Sequence, residues 1–410
     1  MLVLVLACST CTSSIAADEA VLARPEPVTI PPVPAGGGWV RWDGFTKTIN
    51  GSLAERVNAI AAVGDTVWVG TSAGRLFSRS GDGWTTEAEL PVPPGTSRRT
   101  QITGIARQAD GTVWLSTDDG IRRLAPRDGG WTVTEFRTYY EGHPAFVSGA
   151  YLARDDSTRL WGYVDDIYIP RTKDYYAPYA VSREHGLFSW GGYHGVWHHF
   201  LPHYWGANSP WLDLTALVAR RRPTAMVEDT DGNLWVGTEW DGLIRFNSHA
   251  RKYAEREPEQ NKKDGTEFTV FGADEVGAPG FWAVADLVAA SDRGVWAAVA
   301  QPDGASSVAR FDGERWEVWP AEKADGGVSV VGEAGDGKVY VAGTFRFSNH
   351  TGDSPATRLP TEDLIELDWA TKSVRKVEGP ALVRDVVRLP DGRVFAAAWH
   401  GVFEKAAGGK

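Results

Sequence analysis

The sequence has little cysteine, no excess of positive charge and no long apolar run. Its two cysteines, Cys8 and Cys11, both lie in the first seventeen residues, so the rest of the chain has no disulfide framework and no thiolate chemistry. A formal net charge of −11 predicts no nucleic-acid partner and disfavours binding to anionic membranes. Since no apolar run reaches 18 residues, the sequence also predicts no transmembrane span.

The N-terminus resembles an export signal. Residues 1–17, MLVLVLACSTCTSSIAA, contain a short apolar run followed by small residues. Two processing sites remain open: Cys8 in a lipobox-like context, which predicts a lipid anchor, or cleavage after Ala16 in the SIA context. Residues 18–36 are rich in Pro and Gly and predict an extended tether. We expect residues 37–410 to form one domain of an exported, periplasmic or cell-surface bacterial protein.

Tryptophan and glycine are abundant, with 19 and 46 residues, and they follow a repeat. The segment NLWVGT at 233–238, preceded by an Asp-Gly turn, recurs as TVWVGT at 66–71 and TVWLST at 112–117. Looser copies bring the number to seven, spaced by 46, 47, 74, 61, 44 and 55 residues. The aromatic residues of the copies are Trp68, Trp114, Trp161, Trp235, Trp296, Tyr340 and Phe395.

Each repeat predicts four antiparallel strands. An apolar segment precedes the aromatic strand, an Asp-Gly hairpin turn joins the two, and two further strands follow. This is the pattern of a β-propeller blade, so the sequence predicts an all-β, seven-bladed propeller. The last unit is one strand short, and GGWVRWDGF at 37–45 predicts the strand that completes it and closes the ring.

The consensus D-G-x-L-W-V-G-T-x-x-x-G-L resembles the two-component regulator propeller repeat. The resemblance extends over residues 38–406 and is strongest in the first, second and fourth units. It implies a propeller fold and a ligand-sensing or scaffolding role, here in a free-standing exported relative of large bacterial sensors. Fold alone does not fix function.

Loops between the second and third strands, and between blades, should share one face, which we call the top face. The segments 164–186, 201–222 and 347–363 are expected there as insertions. Aromatic, carboxylate and basic side chains on this face suit a carbohydrate, although aromatic residues in long loops can instead anchor the loops. The predicted ligand-binding residues are Asp118, Asp119, Asp165, Tyr176, His185, Trp205, Glu239, Trp240, Asp241, Trp399 and His400.

No catalytic signature is present, and no cofactor is predicted. Candidate catalytic residues on the top face are His143, His203, Tyr204 and Arg222. The cluster HGVWHHFLPH at 194–203 is better explained by surface or interblade histidines than by a metal site, since adjacent strand residues point to opposite faces. A site of two histidines and a carboxylate for a divalent metal stays open. Asp229, Asp231 and Asn233 have calcium-loop spacing, but Leu234 replaces the required glycine, which favours a hairpin turn.

Three functions follow from these observations. The first is an exported module that binds a glycan or an envelope protein through its top face. The second is a polysaccharide or lactone lyase or hydrolase that uses a His or Tyr base. The third is a structural scaffold of the cell envelope.

Overall fold

We describe the chain from a computed structural model. The structure describes residues 19–26, 29–49, 52–81, 83–92, 99–136, 138–140, 158–160, 164–169, 178–182, 186–191, 196–199, 223–239, 242–246, 268–272, 276, 283–300, 306–320, 328–343 and 364–407. Within these ranges no helix has the length and apolar character that a membrane span requires.

Five short strands precede the first full sheet: β1 (Glu19–Ala23), β2 (Pro32–Gly36), β3 (Trp39–Trp42), β4 (Lys47–Ile49) and β5 (Ser52–Glu55). The first two sheets comprise β6 (Val57–Val63), β7 (Thr66–Thr71), β8 (Arg75–Ser80) and β9 (Gly83–Glu89), then β10 (Ile102–Arg107), β11 (Val113–Thr117), β12 (Gly120–Arg127) and β13 (Gly130–Phe136). The next two comprise β14 (Thr138–Tyr140), β15 (Thr158–Leu160), β16 (Asp166–Tyr168), β17 (Tyr179–Ser182), β18 (Gly186–Gly191) and β19 (Val196–His199), then β20 (Pro223–Glu228), β21 (Leu234–Thr238), β22 (Leu243–Phe246) and β23 (Phe268–Phe271).

The remaining strands form three more sheets. They comprise β24 (Ala283–Ala289), β25 (Val295–Ala300), β26 (Ser306–Phe311) and β27 (Trp316–Pro320), then β28 (Val330–Gly335), β29 (Lys338–Ala342), β30 (Leu364–Asp368) and β31 (Ser373–Val377), and finally β32 (Val383–Arg388), β33 (Val394–Ala398) and β34 (Gly401–Lys405). In chain order we call the sheets that start with β6, β10, β16, β20, β24, β28 and β32 blades 1 to 7.

The blades form a ring through their first strands. Within each blade neighbouring strands pair antiparallel, except that β14 pairs parallel with β19 in blade 3. The first strand of every blade contacts the first strand of the next, and β32 of blade 7 contacts β6 of blade 1. The inner strands therefore line a central channel. The all-β propeller fold is confirmed. Seven sheets of four or more strands occur in the described part of the chain, and the blade number of the whole chain stays a prediction.

The repeat aromatics pack between blades, as predicted. Trp68, Trp114, Trp235, Trp296, Tyr340 and Phe395 are all buried. Trp235 of blade 4 stacks on Phe271 at 5.4 Å and meets Phe311 and Trp316 of blade 5 at 5.2 and 5.8 Å between ring centroids. Such aromatic clusters bury large apolar areas, which explains why tryptophan is frequent at this position of the repeat.

The glycine after the repeat aromatic also has an interblade role. We expect from the sequence that it allows the backbone of the adjacent blade to approach. A Cβ at Gly237 would lie 2.7 Å from Cγ1 of Val284 in blade 5, and one at Gly70 would lie 2.4 Å from Cγ2 of Ile102 in blade 2. The glycine therefore accommodates a branched side chain of the next inner strand, rather than its backbone.

The predicted ring closure is confirmed. Strand β3 pairs antiparallel with β34, with Trp39 opposite Lys405 and Trp42 opposite Val402. Trp42 Nε1 donates to Glu404 Oε2 at 3.1 Å, and Glu404 also forms a buried salt bridge with Arg79 of blade 1. The guanidinium of Arg79 lies 4.2 Å from the centre of the Trp42 ring. The N-terminal strand thus joins the last blade to the first.

The segment predicted as a tether differs from that expectation. Strand β1 pairs along its length with β13, which adds a fifth strand to blade 2, and β2 pairs with β3 outside blade 7. The tether prediction was therefore wrong for residues 19–23 and 32–36. Proline tolerates the edge of a sheet, where its missing N–H removes no ladder hydrogen bond, so Pro32 and Pro34 are compatible with the outermost strand.

Blade 3 also differs from the sequence interpretation. The segment around Trp161 was assigned to its second strand, and 164–186 to a loop. Instead β15 lies at the outer edge of the sheet, beyond β14, and the inner strands β16 and β17 come from the supposed loop. β16 contains only one buried apolar residue, Ile167, beside the polar Asp166. Such a strand lacks the apolar pattern by which we recognised the others.

Candidate functional site

Three aspartates occupy related positions on alternate inner strands. Asp166, Asp286 and Asp385 lie in blades 3, 5 and 7, opposite Val181, Ala298 and Ala397 of the second strands. Each is half-buried. The ring thus places three carboxyl groups around its centre.

Hydrogen bonds fix two of these carboxyl groups. Asp286 Oδ1 accepts from the N–H of Leu287 at 2.8 Å, and Oδ2 accepts from the N–H of Val331 in blade 6 at 2.9 Å. Asp166 Oδ1 accepts from the N–H of Ile167 at 2.7 Å. Gly104 of blade 2 leaves room for this carboxyl, since a Cβ there would lie 2.8 Å from Asp166 Oδ1.

The surroundings raise the pKa of all three groups. Burial is the main cause at Asp166, whose pKa rises to about 7, and nearby Asp286 and Asp165 add to the rise. Burial also raises the pKa of Asp286 to about 6, against the lowering effect of its two backbone hydrogen bonds. Burial, then repulsion from Asp286 and Asp166, raises the pKa of Asp385 well above its usual range. The channel therefore holds carboxyl groups that titrate near neutral pH.

A continuous polar network lies where the inner strands of blades 7, 1 and 2 begin. Arg384 Nη1 donates to Asn58 Oδ1 at 3.3 Å, and Asn58 Nδ2 donates to Gln101 Oε1 at 3.3 Å. Gln101 in turn donates to both carboxylate oxygens of Asp118, from its backbone N–H at 2.7 Å and from Nε2 at 3.1 Å. We call these residues, with Arg56 and Trp399, the mouth network.

Arg56 connects the network to an aromatic ring. Its Nε donates to Asn58 Oδ1 at 3.1 Å, and its guanidinium lies 5.4 Å from the centre of the Trp399 ring. Trp399 follows β33, and its backbone N–H donates to Leu382 O at 3.3 Å. A half-buried indole is thereby placed next to a guanidinium group, which hydrogen bonds connect to amide and carboxylate groups. Polar ligands with an apolar face use this mixture.

The structure brings two of the predicted ligand-binding residues together in this network, Asp118 and Trp399. Three others lie at the same ends of their blades. Asp119 forms an ion pair with Arg122 at 3.3 Å, Asp165 is half-buried beside Asp166, and Glu239 is buried after β21. His400 is exposed. The roles of all these residues stay predictions.

The other candidates lie outside the described residues: Tyr176, His185, Trp205, Trp240, Asp241, His143, His203, Tyr204 and Arg222. Among described residues no group of three or more His, Cys, Asp or Glu side chains is arranged to hold a metal ion.

The hairpin interpretation of residues 229–233 agrees with the structure. Asp229 Oδ1 accepts from the N–H groups of Asp231 and Asn233 at 3.0 and 2.9 Å, and Oδ2 accepts from Trp235 Nε1 at 2.8 Å. Protein donors therefore occupy both carboxylate oxygens, which ties the turn to the repeat tryptophan.

The sequence interpretation missed Asp286 and Asp385, and also Asn58, Gln101 and Arg384. One signal was available for Asp286 and Asp385. An aspartate interrupts the apolar first-strand segments VADLVA and VRDVVR at the same place, and a charge inside a buried strand usually marks a special position.

Comparisons with known proteins agree with this fold. The model of the two component regulator propeller matches residues 220–240. The chain carries a two-component regulator propeller repeat. The predicted resemblance is thereby confirmed in the fourth unit. No curated protein matches the sequence.

Solved structures show the same architecture. A structure of streptogramin B lyase is 10% identical, covers 94% of this chain and 96% of its own, and has a TM-score of 0.52. A structure of YCF48 bound to D1 peptide is 10% identical, with coverages of 93% and 100% and a TM-score of 0.53. The β-propeller domain of Cps50 (Swd1) from Myceliophteria thermophila is 13% identical, with coverages of 87% and 97% and a TM-score of 0.52. At these identities the likeness concerns the fold alone.

Proposed function

We propose that this protein is an exported binding module that captures a glycan at the mouth of the propeller channel. The observation that carries the proposal is the mouth network, in which the Trp399 ring lies beside Arg56, and hydrogen bonds through Asn58 and Gln101 connect Arg56 to the Asp118 carboxylate. Sugars offer an apolar ring face to an indole and hydroxyl groups to amides and carboxylates. The apolar N-terminal segment supports export, with Cys8 as the proposed acylation site.

The experiment is a glycan array followed by titration calorimetry with the best oligosaccharide. We expect Trp399→Ala and Gln101→Ala each to weaken binding by about tenfold or more, which corresponds to the loss of roughly 1.4 kcal/mol. Arg315→Ala is the control, because Arg315 is exposed in blade 5 and lies outside the network. Absence of binding on the array, or binding that both mouth variants retain, would overturn the proposal and favour an envelope protein partner or a scaffold role.

A second candidate function is a propeller lyase or hydrolase acting in the channel. The pKa values of Asp166 and Asp286, raised to about 7 and about 6, favour it, since general acids and bases work best when they titrate near the operating pH. The test is release of reducing ends or unsaturated products from polysaccharides by the wild-type protein. Asp166→Asn should abolish that activity, and a contaminating enzyme would leave it unchanged.

A further inference from the structure

A second cavity lies on the outside of the propeller, between blades 6 and 7. Its volume is about 340 Å³, and it is lined by Gly37, Arg375, Lys376, Val377, Glu378 and Lys405. Small-molecule sites have volumes of about 300–1,000 Å³, so this cavity has room for a small organic molecule. It belongs to neither the mouth network nor the channel carboxyl groups.

The N-terminal hairpin of β2 and β3 forms one wall of the cavity. A Cβ at Gly37, in the turn of this hairpin, would lie 2.6 Å from the carbonyl oxygen of Glu378. A Cβ at Gly379 would lie 3.1 Å from the carbonyl oxygen of Ala35. The turn is therefore packed directly on the segment that follows β31, and the cavity is complete only when the hairpin closes the ring.

Lys405 places a half-buried ammonium group at this cavity. Its Nζ donates to the hydroxyl of Tyr340 at 3.2 Å and lies 5.8 and 5.9 Å from the centres of the Trp39 and Tyr340 rings. Within the described residues no carboxylate lies at ion-pair distance from it. An ammonium group has three donors, so two remain for a ligand. Burial lowers the Lys405 pKa, and the attraction of the nearby Glu366 carboxylate opposes this only in part.

Two further cations face the same space. Arg375 Nη2 donates to both oxygens of Glu366 at 2.9 Å, which fixes the guanidinium. Its Nε and Nη1 make no hydrogen bond within the described part of the chain. Lys376 is exposed on the cavity wall. Glu378 is the one acidic residue of the wall, and Glu366 balances the charge of Arg375. The two lysines therefore leave a small excess of positive charge at the cavity, on a protein whose formal net charge is −11.

We propose that this cavity binds a small organic anion, one carboxylate or phosphate group on a polar body. The anionic group takes the spare donors of Lys405 and Arg375, with Lys376 at the rim, and Glu378 accepts hydrogen bonds from hydroxyl groups of the body. Charge-assisted hydrogen bonds of this kind are the strong ones. The site goes beyond the proposed glycan binding at the channel mouth, and it joins the N-terminal hairpin to blades 6 and 7.

The test is calorimetry on the full chain at low salt with three probes: glucuronate, inorganic phosphate and neutral glucose. We expect glucuronate to bind and glucose not to bind at this site, and phosphate to compete with glucuronate. Lys405→Met and Lys376→Met should each weaken glucuronate binding by about tenfold or more, the effect of losing one hydrogen bond to a charged group. Lys47→Met is the matched control, because Lys47 is exposed and remote from the cavity.

Two results would overturn the proposal: no binding of either anion, or binding that the two cavity variants retain in full. Lys376→Met keeps the test valid if Lys405→Met fails to fold, since Lys376 is exposed. Trp399→Ala separates the two sites, because it should weaken glycan binding at the mouth and leave glucuronate binding at the cavity unchanged.

Discussion

The carboxylate of Asp286 in blade 5 accepts a hydrogen bond from the N–H of Val331 in blade 6, at 2.9 Å. This bond crosses the blade interface at the inner edge of the ring. The same carboxyl group has its pKa raised by burial and raises the pKa values of Asp166 and Asp385. Asp286 therefore takes part both in an interblade hydrogen bond and in a set of interacting carboxyl groups. This double role has consequences for stability.

We expect the protein to lose stability as the pH rises from about 5 to about 8. In the unfolded chain these aspartates have pKa values near 3.9, whereas burial raises the folded-state pKa of Asp166 to about 7 and that of Asp286 to about 6. The folded state therefore holds more protons in this range, and the free energy of unfolding decreases with pH. After allowance for the partial exposure of the groups, the decrease should be about 1–3 kcal/mol, measured by urea unfolding. Asp166→Asn should flatten the slope, and Asp65→Asn, at an exposed position, should not.

Glu404→Gln should destabilise the ring closure. Glu404 forms a salt bridge with the buried Arg79 and accepts from Trp42 Nε1, so the substitution removes a carboxylate partner of a buried guanidinium group. The expected loss in the free energy of unfolding is about 3 kcal/mol, measured by urea denaturation. Arg315→Met is the comparison, because its ion pairs are exposed and should contribute at most about 1 kcal/mol. Equal losses for both variants would show that the Glu404 pair has no special role.

Gly237→Ala should destabilise the interface between blades 4 and 5. The added methyl group would lie 2.7 Å from Cγ1 of Val284, and overpacking of a core costs about 1–3 kcal/mol. The double variant Gly237→Ala/Val284→Ala should lose less free energy of unfolding than the two single variants lose in sum. Gly83→Ala, where a Cβ meets no atom within 4 Å, should change thermal stability little. Unchanged thermal stability of Gly237→Ala would mean that the two blades can move apart with no loss of stability.

Asp229→Ala should destabilise blade 4, and calcium should have no effect on the wild-type protein. The substitution removes the acceptor of the Asp231 and Asn233 N–H groups and leaves Trp235 Nε1 unpaired in the core. A loss of about 2–3 kcal/mol is expected from unsatisfied buried donors. Thermal unfolding of the wild-type protein with calcium and with EDTA tests the prediction about calcium, since a ligand of the folded state raises the melting temperature.

The repeat made the fold predictable, because aromatic residues at one position report the interblade packing directly. Trp68, Trp114 and Trp235 are buried, as the repeat predicts. The sequence interpretation failed in blade 3 for a physical reason: the inner strand at Asp166 is polar because it faces the channel, so it lacks the apolar pattern of the other first strands. It failed again at residues 19–23, where pairing with β13 gives order to a segment whose composition is typical of a linker.

The candidate site was less predictable than the fold. Loop position placed Asp118 and Trp399 on the same face, because the ends of second strands lie on one face of a propeller, and their role in ligand binding stays a prediction. Asn58, Gln101 and Arg384 come from three different repeats, and ring closure brings Arg384 of blade 7 to Asn58 of blade 1. The channel aspartates depend in the same way on strands from blades 3, 5 and 7. Contacts between distant repeats leave no local pattern in the sequence.

The pairing of the N-terminal strand with the last blade has a further consequence for how the protein matures. Trp42 and Glu404 are 362 residues apart in the chain, so β3 is synthesised long before β34. The edge of β3 that does not pair with β2 therefore has no partner until the final blade exists. Contacts of such separation form slowly, and an unpaired strand edge is prone to association with other chains. The growing polypeptide must therefore keep this strand apart from other chains until the last residues of the propeller arrive.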